Sequence, residues 1–317
     1  MDLLSNVLRV VRLDSAFFYR VEAGRDWRVE AAAARELTPR VIPDSEHLIS
    51  YHILIAGRCF GGLSGKEQVE MTAGDVIVFP HGDAHVMSAE RDRLPSRDVV
   101  TSVPARYADT VFLDSEPRET LLVCGFLGCD KRPFNPLIAG LPRMLHMRGM
   151  STEWIGRFAR QLTDESRLGL PGADSVLVRL AELMFIEVLR RYVDELSPDQ
   201  TGWLAGLRDE VVGKALTLMH SQPSHGWTLE DLARKSNSSR TNLAKRFTAL
   251  VGQPPMQYLA QWRMQVAASL LGQSGAKVAT IGEEVGYDSE AAFSRAFKKA
   301  SGVAPGAWRD ARRLAAV

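Results

Sequence analysis

Cysteine is scarce: Cys59, Cys124 and Cys129 are the only three among 317 residues. Three is too few, and an odd number, for a disulfide scaffold, so a reducing cytoplasm is the expected location. Long apolar runs are missing too, and none reaches the roughly 20 residues that cross a bilayer. The stretch "MDLLSNVLRVVRLDS" lacks the pattern of a signal peptide. Asp2 comes early, no small-residue cleavage site follows, and Leu3, Leu4, Val7, Leu8 and Val11 recur at helical spacing. A surface-packed helix is predicted there instead. No segment is of low complexity. Excess charge of either sign is absent, since the net charge is +1. That balance conceals a split. Residues 210–317 hold 14 Lys and Arg against 8 Asp and Glu, whereas residues 1–209 hold 25 against 30. A basic C-terminal part suits a polyanionic partner.

The length suggests two or three domains. From about residue 26 to 130, short runs rich in Val, Ile, Leu and Phe ("HLISYHILIAG", "VIVFP", "TLLVCGFLG") are broken by Gly, Pro and Asp. "FGGLSGKE" reads as a turn cluster and "SAERDRLPSRD" as a polar loop. This predicts a meandering antiparallel barrel or sandwich. Helical periodicity takes over near residue 136. Residues 173–196 place Val176, Leu180, Leu183, Met184, Leu189, Tyr192 and Leu196 along one broad stripe, with Asp174 or Ser175 as cap and Pro198 beyond the end. The stripe fits either a core helix or a dimer seam. "SPDQTGWLAG" (197–206) reads as an inter-domain linker.

The C-terminal part repeats itself. Ser239, Leu243, Phe247, Gly252 and Pro255 recur as Ser289, Phe293, Phe297, Gly302 and Pro305, each 50 residues on, and Leu232-Ala233 recurs as Ile281-Gly282. In the first copy Thr228 caps a short amphipathic helix, "NS" turns the chain, and Ser239 caps a second helix that stops at Gly252. Leu229, Leu232 and Ala233 can pack on Leu243 and Phe247, which is helix-turn-helix design. The second copy uses a "GYD" turn. The second helices then turn Arg240, Thr241, Ala244 and Lys245 outward in one copy and Glu290, Ala291, Ser294 and Arg295 in the other. A helix fits the DNA major groove, where Arg or Lys donates to guanine and small side chains meet the thymine methyl. Arg246, Lys298, Lys299 and Arg309 suit phosphates. The intervening "PPMQYLAQWRMQVAASLLGQ" gives a spacer of roughly 27 Å, close to the ~34 Å of one DNA turn.

Residues 210–313 closely resemble the DNA-binding domain of the AraC/XylS transcriptional regulators, on "LARKSNSSRTNLAKRF", "VGQPPMQYLAQWRMQVA" and "IGEEVGYDSEAAFSRAFKKASGVAPGAWR". The resemblance implies a monomeric seven-helix unit with two recognition helices in adjacent major grooves. It implies a base-reading role for Arg295, with Lys245 in the corresponding place of the first copy. Thr241 stands where some members carry a large aromatic.

"GDVIVFPHGDAH" has the form G-x5-P-x-G-x2-H, with Gly74, Pro80, Gly82 and His85, and matches the second signature of cupin barrels. Residues 1–200 resemble the cupin-type sensor half of one AraC subgroup. The first cupin signature, with two histidines one residue apart and a glutamate, is missing. Only His47 and His52 stand there, on opposite faces of a strand. A partial metal site from one of them, His85 and a cysteine is the most that remains. Cys124 and Cys129 read as buried apolar thiols or as a redox sensor.

The expected fold is therefore α+β: a cupin-like β-barrel with a helical extension, followed by an all-α domain with two helix-turn-helix motifs, at about 228–250 and 278–300. The expected domains are 1–135, 136–200 (a helical, dimerising region) and 207–313. The expected function is a sequence-specific transcriptional activator, not an enzyme and with no required cofactor. An effector or oxidation at the N-terminal domain would control it. The partners implied are double-stranded DNA, RNA polymerase, a small-molecule effector and a second copy of the chain, with no membrane. The rival is a metal-dependent cupin enzyme fused to a DNA-binding domain, which the missing ligands disfavour.

Overall fold

The computed structural model describes residues 3–11, 13–43, 45–91, 110–113, 117–130, 133–150, 154, 157–158, 160–162, 164–165, 171–197 and 200–314. Most of "SAERDRLPSRD" and Pro198 lie outside these. The chain forms two compact units, and neither is continuous in sequence. One comprises Leu13–Cys129 and Pro142–Glu195; the other comprises Met1–Arg12, Asp130–Leu141 and Leu196–Val317. The boundaries expected at 135, 200 and 207 shift accordingly.

Among the described residues the first unit has ten strands: β1 (Leu13–Ala23), β2 (Arg28–Ala31), β3 (His47–Ala56), β4 (Arg58–Leu63), β5 (Val69–Thr72), β6 (Val76–Phe79), β7 (His85–Ser88), β8 (Thr110–Leu113), β9 (Thr120–Cys129) and β10 (Leu145–Met147). They form two sheets, ordered β10-β6-β3-β9-β1-β8 and β2-β7-β4-β5. The pairing is antiparallel except for β1 with β8, which run parallel. The predicted meander is thus replaced by a crossed order. Its central ladder joins three strands far apart in sequence, a feature that local patterns do not encode. One core cluster draws on strands of both sheets, including Val21, Leu54, Cys59, Met71, Ile77, Phe79, Met87 and Cys124. Of the alternating residues in β6, Ile77 and Phe79 are the ones that join it. The turn after β6 requires Gly82, at φ 66°: a Cβ there would lie 2.3 Å from the Ala34 Cβ and 2.8 Å from the Leu48 carbonyl oxygen. Ala34 belongs to α2 (Ala34–Val41).

Two expectations change in this unit. "FGGL" is part of β4 rather than of a turn, and residues 145–147 form an edge strand on β6 within the stretch expected to be helical. The long helix spans Ala173–Glu195 and follows Gly172, so neither Asp174 nor Ser175 is its cap position. Its stripe divides. Met184 and Leu189 are fully buried, while Val176 and Leu183 are exposed, Leu183 at 47%.

In the second unit the helices are α1 (Leu3–Val10), α3 (Pro136–Gly140), α5 (Trp203–Arg208), α6 (Glu210–Ser221), α7 (Leu229–Lys235), α8 (Arg240–Val251), α9 (Pro255–Gln273), α10 (Val278–Glu284), α11 (Glu290–Ser301) and α12 (Pro305–Leu314). The long helix of the first unit is α4 in this order. The predicted N-terminal helix is α1; it buries Leu3, Asn6 and Val7 and packs on α6 and α9. The stretch expected to be a linker holds α5, with Trp203 and Leu204 buried. It is core because the Trp203 indole donates to the Tyr258 hydroxyl at 2.7 Å. Residues 130–141 join this unit through the Phe134 N–H, bonded to Gln265, and the Asp130–Arg312 ion pair.

Candidate functional site

The helix-turn-helix pairs assemble by the local chemistry of their caps. Thr228 accepts from the Asp231 N–H and opens α7; Ser239 accepts from the Asn242 N–H and opens α8. Ser289 repeats this for α11 with the Ala292 N–H. Both second helices end on left-handed glycines, Gly252 and Gly302. Leu232 and Leu243 are fully buried, as are Phe247, Ile281, Phe293 and Phe297, so the inward faces are the predicted ones. Leu229 is half-buried. Gly282 lets α10 approach α11, since even a Cβ there would stand 3.1 Å from that of Phe293.

With those faces packed, the opposite faces reach solvent. Arg240, Thr241 and Lys245 are exposed on α8 and Ala244 is half-buried; Glu290, Ala291, Arg295, Lys298 and Lys299 are exposed on α11 and Ser294 is half-buried. Two of the expected phosphate ligands are tied into the fold. Arg246 donates to Asp209, the cap of α6, at 2.6 Å, and Arg309 donates to the Ala276 carbonyl at 2.5 Å. The Arg246 guanidinium holds Asp209 below the usual carboxylate range, against the opposing effect of partial burial.

One residue that sequence reasoning missed is Arg263, in the middle of α9. Its guanidinium donates to the Pro223 carbonyl at 2.7 Å, to His225 at 2.9 Å and, more weakly, to Gly286 at 3.5 Å. It thus fastens the loop before α7 and the turn after α10 to the same helix. Gly286 sits at φ 84°, and a Cβ on it would meet the Arg263 guanidinium at 2.9 Å. The available signal was a lone arginine in an otherwise uncharged helical stretch.

In the strand unit, the structure brings together His52 and His85 and leaves His47 apart. His52 Nε2 lies 2.7 Å from His85 Nε2, while His47 Nε2 donates to the Pro80 carbonyl at 2.7 Å. His85 Nδ1 lies 2.9 Å from the Asp83 carbonyl, which can only accept. The proton is therefore on His85 Nδ1, His85 Nε2 accepts, and His52 Nε2–H donates. Both rings are neutral. Burial is the main cause, lowering His85 to about 4 and His52 well below its usual value. The Phe79 ring stacks on His85 at 4.0 Å.

A cavity of about 40 Å³ lies inside this unit, lined by His52, Trp27, Tyr19, Met87, Cys124 and Phe126 among others. His85 is not in its wall; His52 takes the place expected of it. Opposite His52 on β9 stands Cys124, and opposite His47 stands Cys129. The two cysteines are separated by about 17 Å of extended strand, too far for a disulfide. Burial pushes the Cys59 thiol up to about 12 and Cys124 higher still. A reactive thiol needs the opposite shift. The donors also do not fit a cupin metal centre. Among the described residues no group of three or more His, Cys, Asp or Glu could hold a metal ion, and the two imidazoles that meet are bonded to each other.

Comparison with known proteins divides the chain along the sequence, with the first match running through Asp130–Leu141. Residues 2–194 match the family model described as Cupin, and residues 232–311 match the one described as Helix-turn-helix domain. Relatives named as AraC-like transcription regulators are 31% identical in Streptomyces lividans and 30% in Streptomyces antibioticus, each covering 98% of this chain and 98% of the relative. The RCS-specific HTH-type transcriptional activator RclR of Escherichia coli K12 is 26% identical over 99% of this chain and 100% of its own. No described helix is long and apolar enough to cross a membrane.

Proposed function

Since the chain belongs to the AraC-like transcription regulators, with a cupin domain before a helix-turn-helix domain, we propose that it activates transcription by laying α8 and α11 in two successive major grooves. The observation that carries this is the pair of capped second helices whose outward faces hold Arg240, Lys245, Arg295, Lys298 and Lys299. None of the five side chains has a hydrogen bond or ion pair among the described residues. Arg295 and Lys245 read bases, while Lys298 and Lys299 neutralise phosphate. Thr241, Ala244, Glu290, Ala291 and Ser294 set the shape of the contact. Arg246 and Arg309 brace the domain instead. The protein acts in the cytoplasm, with RNA polymerase as its downstream partner.

The signal is a small molecule in the strand unit, not oxidation: the burial of both thiols, with that of Cys124 pushed up by desolvation, supports an inert role for Cys124 and Cys129. No enzymatic step and no metal is assigned, because His52 and His85 are bonded to each other through Nε2 and no third ligand stands beside them among the described residues. The test is a titration of promoter fragments with the full chain at several salt concentrations. Neutralised phosphates release counterions, so affinity should fall steeply as salt rises. A flat response sinks the DNA-binding mode.

A further inference from the structure

The cavity between the sheets is mostly apolar, and the polar groups of its lining residues are the Trp27 and His52 ring nitrogens, the Tyr19 hydroxyl and the Cys124 thiol. Trp27 and His52 both line it and are both more than nine-tenths buried. Trp27 Nε1 and His52 Nδ1 have no hydrogen-bond partner among the described residues. Their roles are fixed. An indole nitrogen only donates. His52 Nδ1 only accepts, because the proton of that ring is spent on His85. Among the lining residues these two nitrogens are an unmatched donor and an unmatched acceptor, beside the Tyr19 hydroxyl, and no carboxylate, ammonium or guanidinium belongs to the wall. An ionised ligand would be buried there without a counter-charge, which is strongly unfavourable. A hydrocarbon would leave both nitrogens unmatched. A hydroxyl satisfies both at once, since its oxygen accepts from an N–H while its proton goes to a lone pair.

From this geometry we infer that the effector of the strand unit is a small, uncharged, largely apolar molecule bearing one hydroxyl, held by Trp27 Nε1–H as donor and His52 Nδ1 as acceptor. The inference rests on the effector reading above and adds the ligand's chemical class. The Tyr19 and Phe126 rings in the wall suit an aromatic or short aliphatic body. Met87, an adaptable side chain, can repack to admit one.

Three probes share a ring and differ in one group: benzyl alcohol, toluene and benzoate. Their binding to the full chain is measured by ligand-observed NMR and calorimetry. Benzyl alcohol should bind about tenfold more tightly than toluene, the worth of one or two net hydrogen bonds, and benzoate should not bind. Trp27→Phe, which keeps an aromatic ring and removes the N–H, should lower benzyl alcohol toward toluene in the same variant. Ala31→Phe, which narrows the cavity, should weaken both; its far-ultraviolet circular dichroism checks the fold. Equal binding of benzyl alcohol and toluene overturns the inference and leaves ordered water as the partner of the two nitrogens. Cavity binding of benzoate overturns it too, yet leaves an effector site standing. If no probe binds, the ligand class and the barrel effector site both fall. Promoter binding by the same sample then tests the DNA-binding reading separately.

Discussion

Arg295 and Lys299 leave α11 four residues apart, on neighbouring turns of one face, and differ in what they can say about sequence. A guanidinium forks onto two acceptors of one base, whereas an ammonium on a long stem meets phosphate as a point charge. Arg295→Ala should therefore cost about 1–3 kcal/mol on the cognate site and much less on a site substituted at the base it reads. Lys299→Ala should weaken all sites alike. Titrating both variants against single-substituted sites checks this, and a uniform loss for Arg295→Ala removes it from base readout. The buried histidines predict a pH dependence. His85 titrates near 4 when folded, below its unfolded value of about 6.5. The unfolded chain thus binds the proton first, and stability falls as pH drops from about 6.5 to 4. His85 alone accounts for a loss on the order of 3 kcal/mol. His220, buried and lowered to about 3, pulls the same way in the other unit. Urea midpoints at pH 7 and pH 4.5 should show the decline, and His220→Phe should flatten it for the helical unit. The residue-level chemistry was partly legible. The five-residue gap between His47 and His52 places them on opposite faces, but which one meets His85 depends on β3 pairing with β6, a contact no local pattern contains.

Elements of the helical repeat were legible almost to the residue, because most boundaries are written in local chemistry: Thr228, Ser239 and Ser289 as caps, Gly252 and Gly302 as stops, with the start of α10 after Lys277 lacking a side-chain cap. The strands were legible as apolar runs but not as an order, since a ladder such as β3–β9–β1 rests on pairs more than 60 residues apart. Of the long-helix stripe, periodicity gave the face without telling which half of it is covered. The structure leaves Val176 and Leu183 exposed on α4 while Met184 and Leu189 are buried, so Leu183→Glu introduces a charge into water, not into a core. If α4 is a dimer seam, that variant should sediment as monomer with unchanged circular dichroism, where the wild-type chain is dimeric. A wild-type chain monomeric both free and on DNA refutes the seam. Arg263 yields a second element-scale prediction. Arg263→Met keeps the stem and removes three bonds to backbone carbonyls, loosening both loops that it fastens. Affinity for a full site should drop by about tenfold or more, since hydrogen bonds from a charged group are worth ~1.5–3 kcal/mol. Affinity for a site carrying only one groove segment should change little. An equal loss on both sites would make Arg263 a general stability residue.

For the whole molecule, the division into units changes what a truncated domain should do. A fragment of residues 207–317 carries both helix-turn-helix motifs but leaves behind α1, α3 and α5, all of which belong to its unit. Gln265 and Arg312 lose Phe134 and Asp130 as partners, Tyr258 loses Trp203, and the surface under Val7 is uncovered. The fragment should still bind promoter DNA, because the outward faces are intact, but melt well below the same helices in the full chain. Hydrogen exchange of α6 and α9 in both contexts measures the difference; equal protection would show that the added segments contribute nothing. The same discontinuity sets a timetable for synthesis. The ribosome makes α1 before Leu13–Cys129, and only after Glu195 the helices on which α1 packs. At roughly 5–20 residues per second, α1 waits of the order of ten seconds or more with its apolar face uncovered. The strand unit, whose last helix ends at Glu195, can close during that interval. A nascent chain therefore gains its sensor before its reader, and a regulator able to bind DNA is always one whose effector site has already been made.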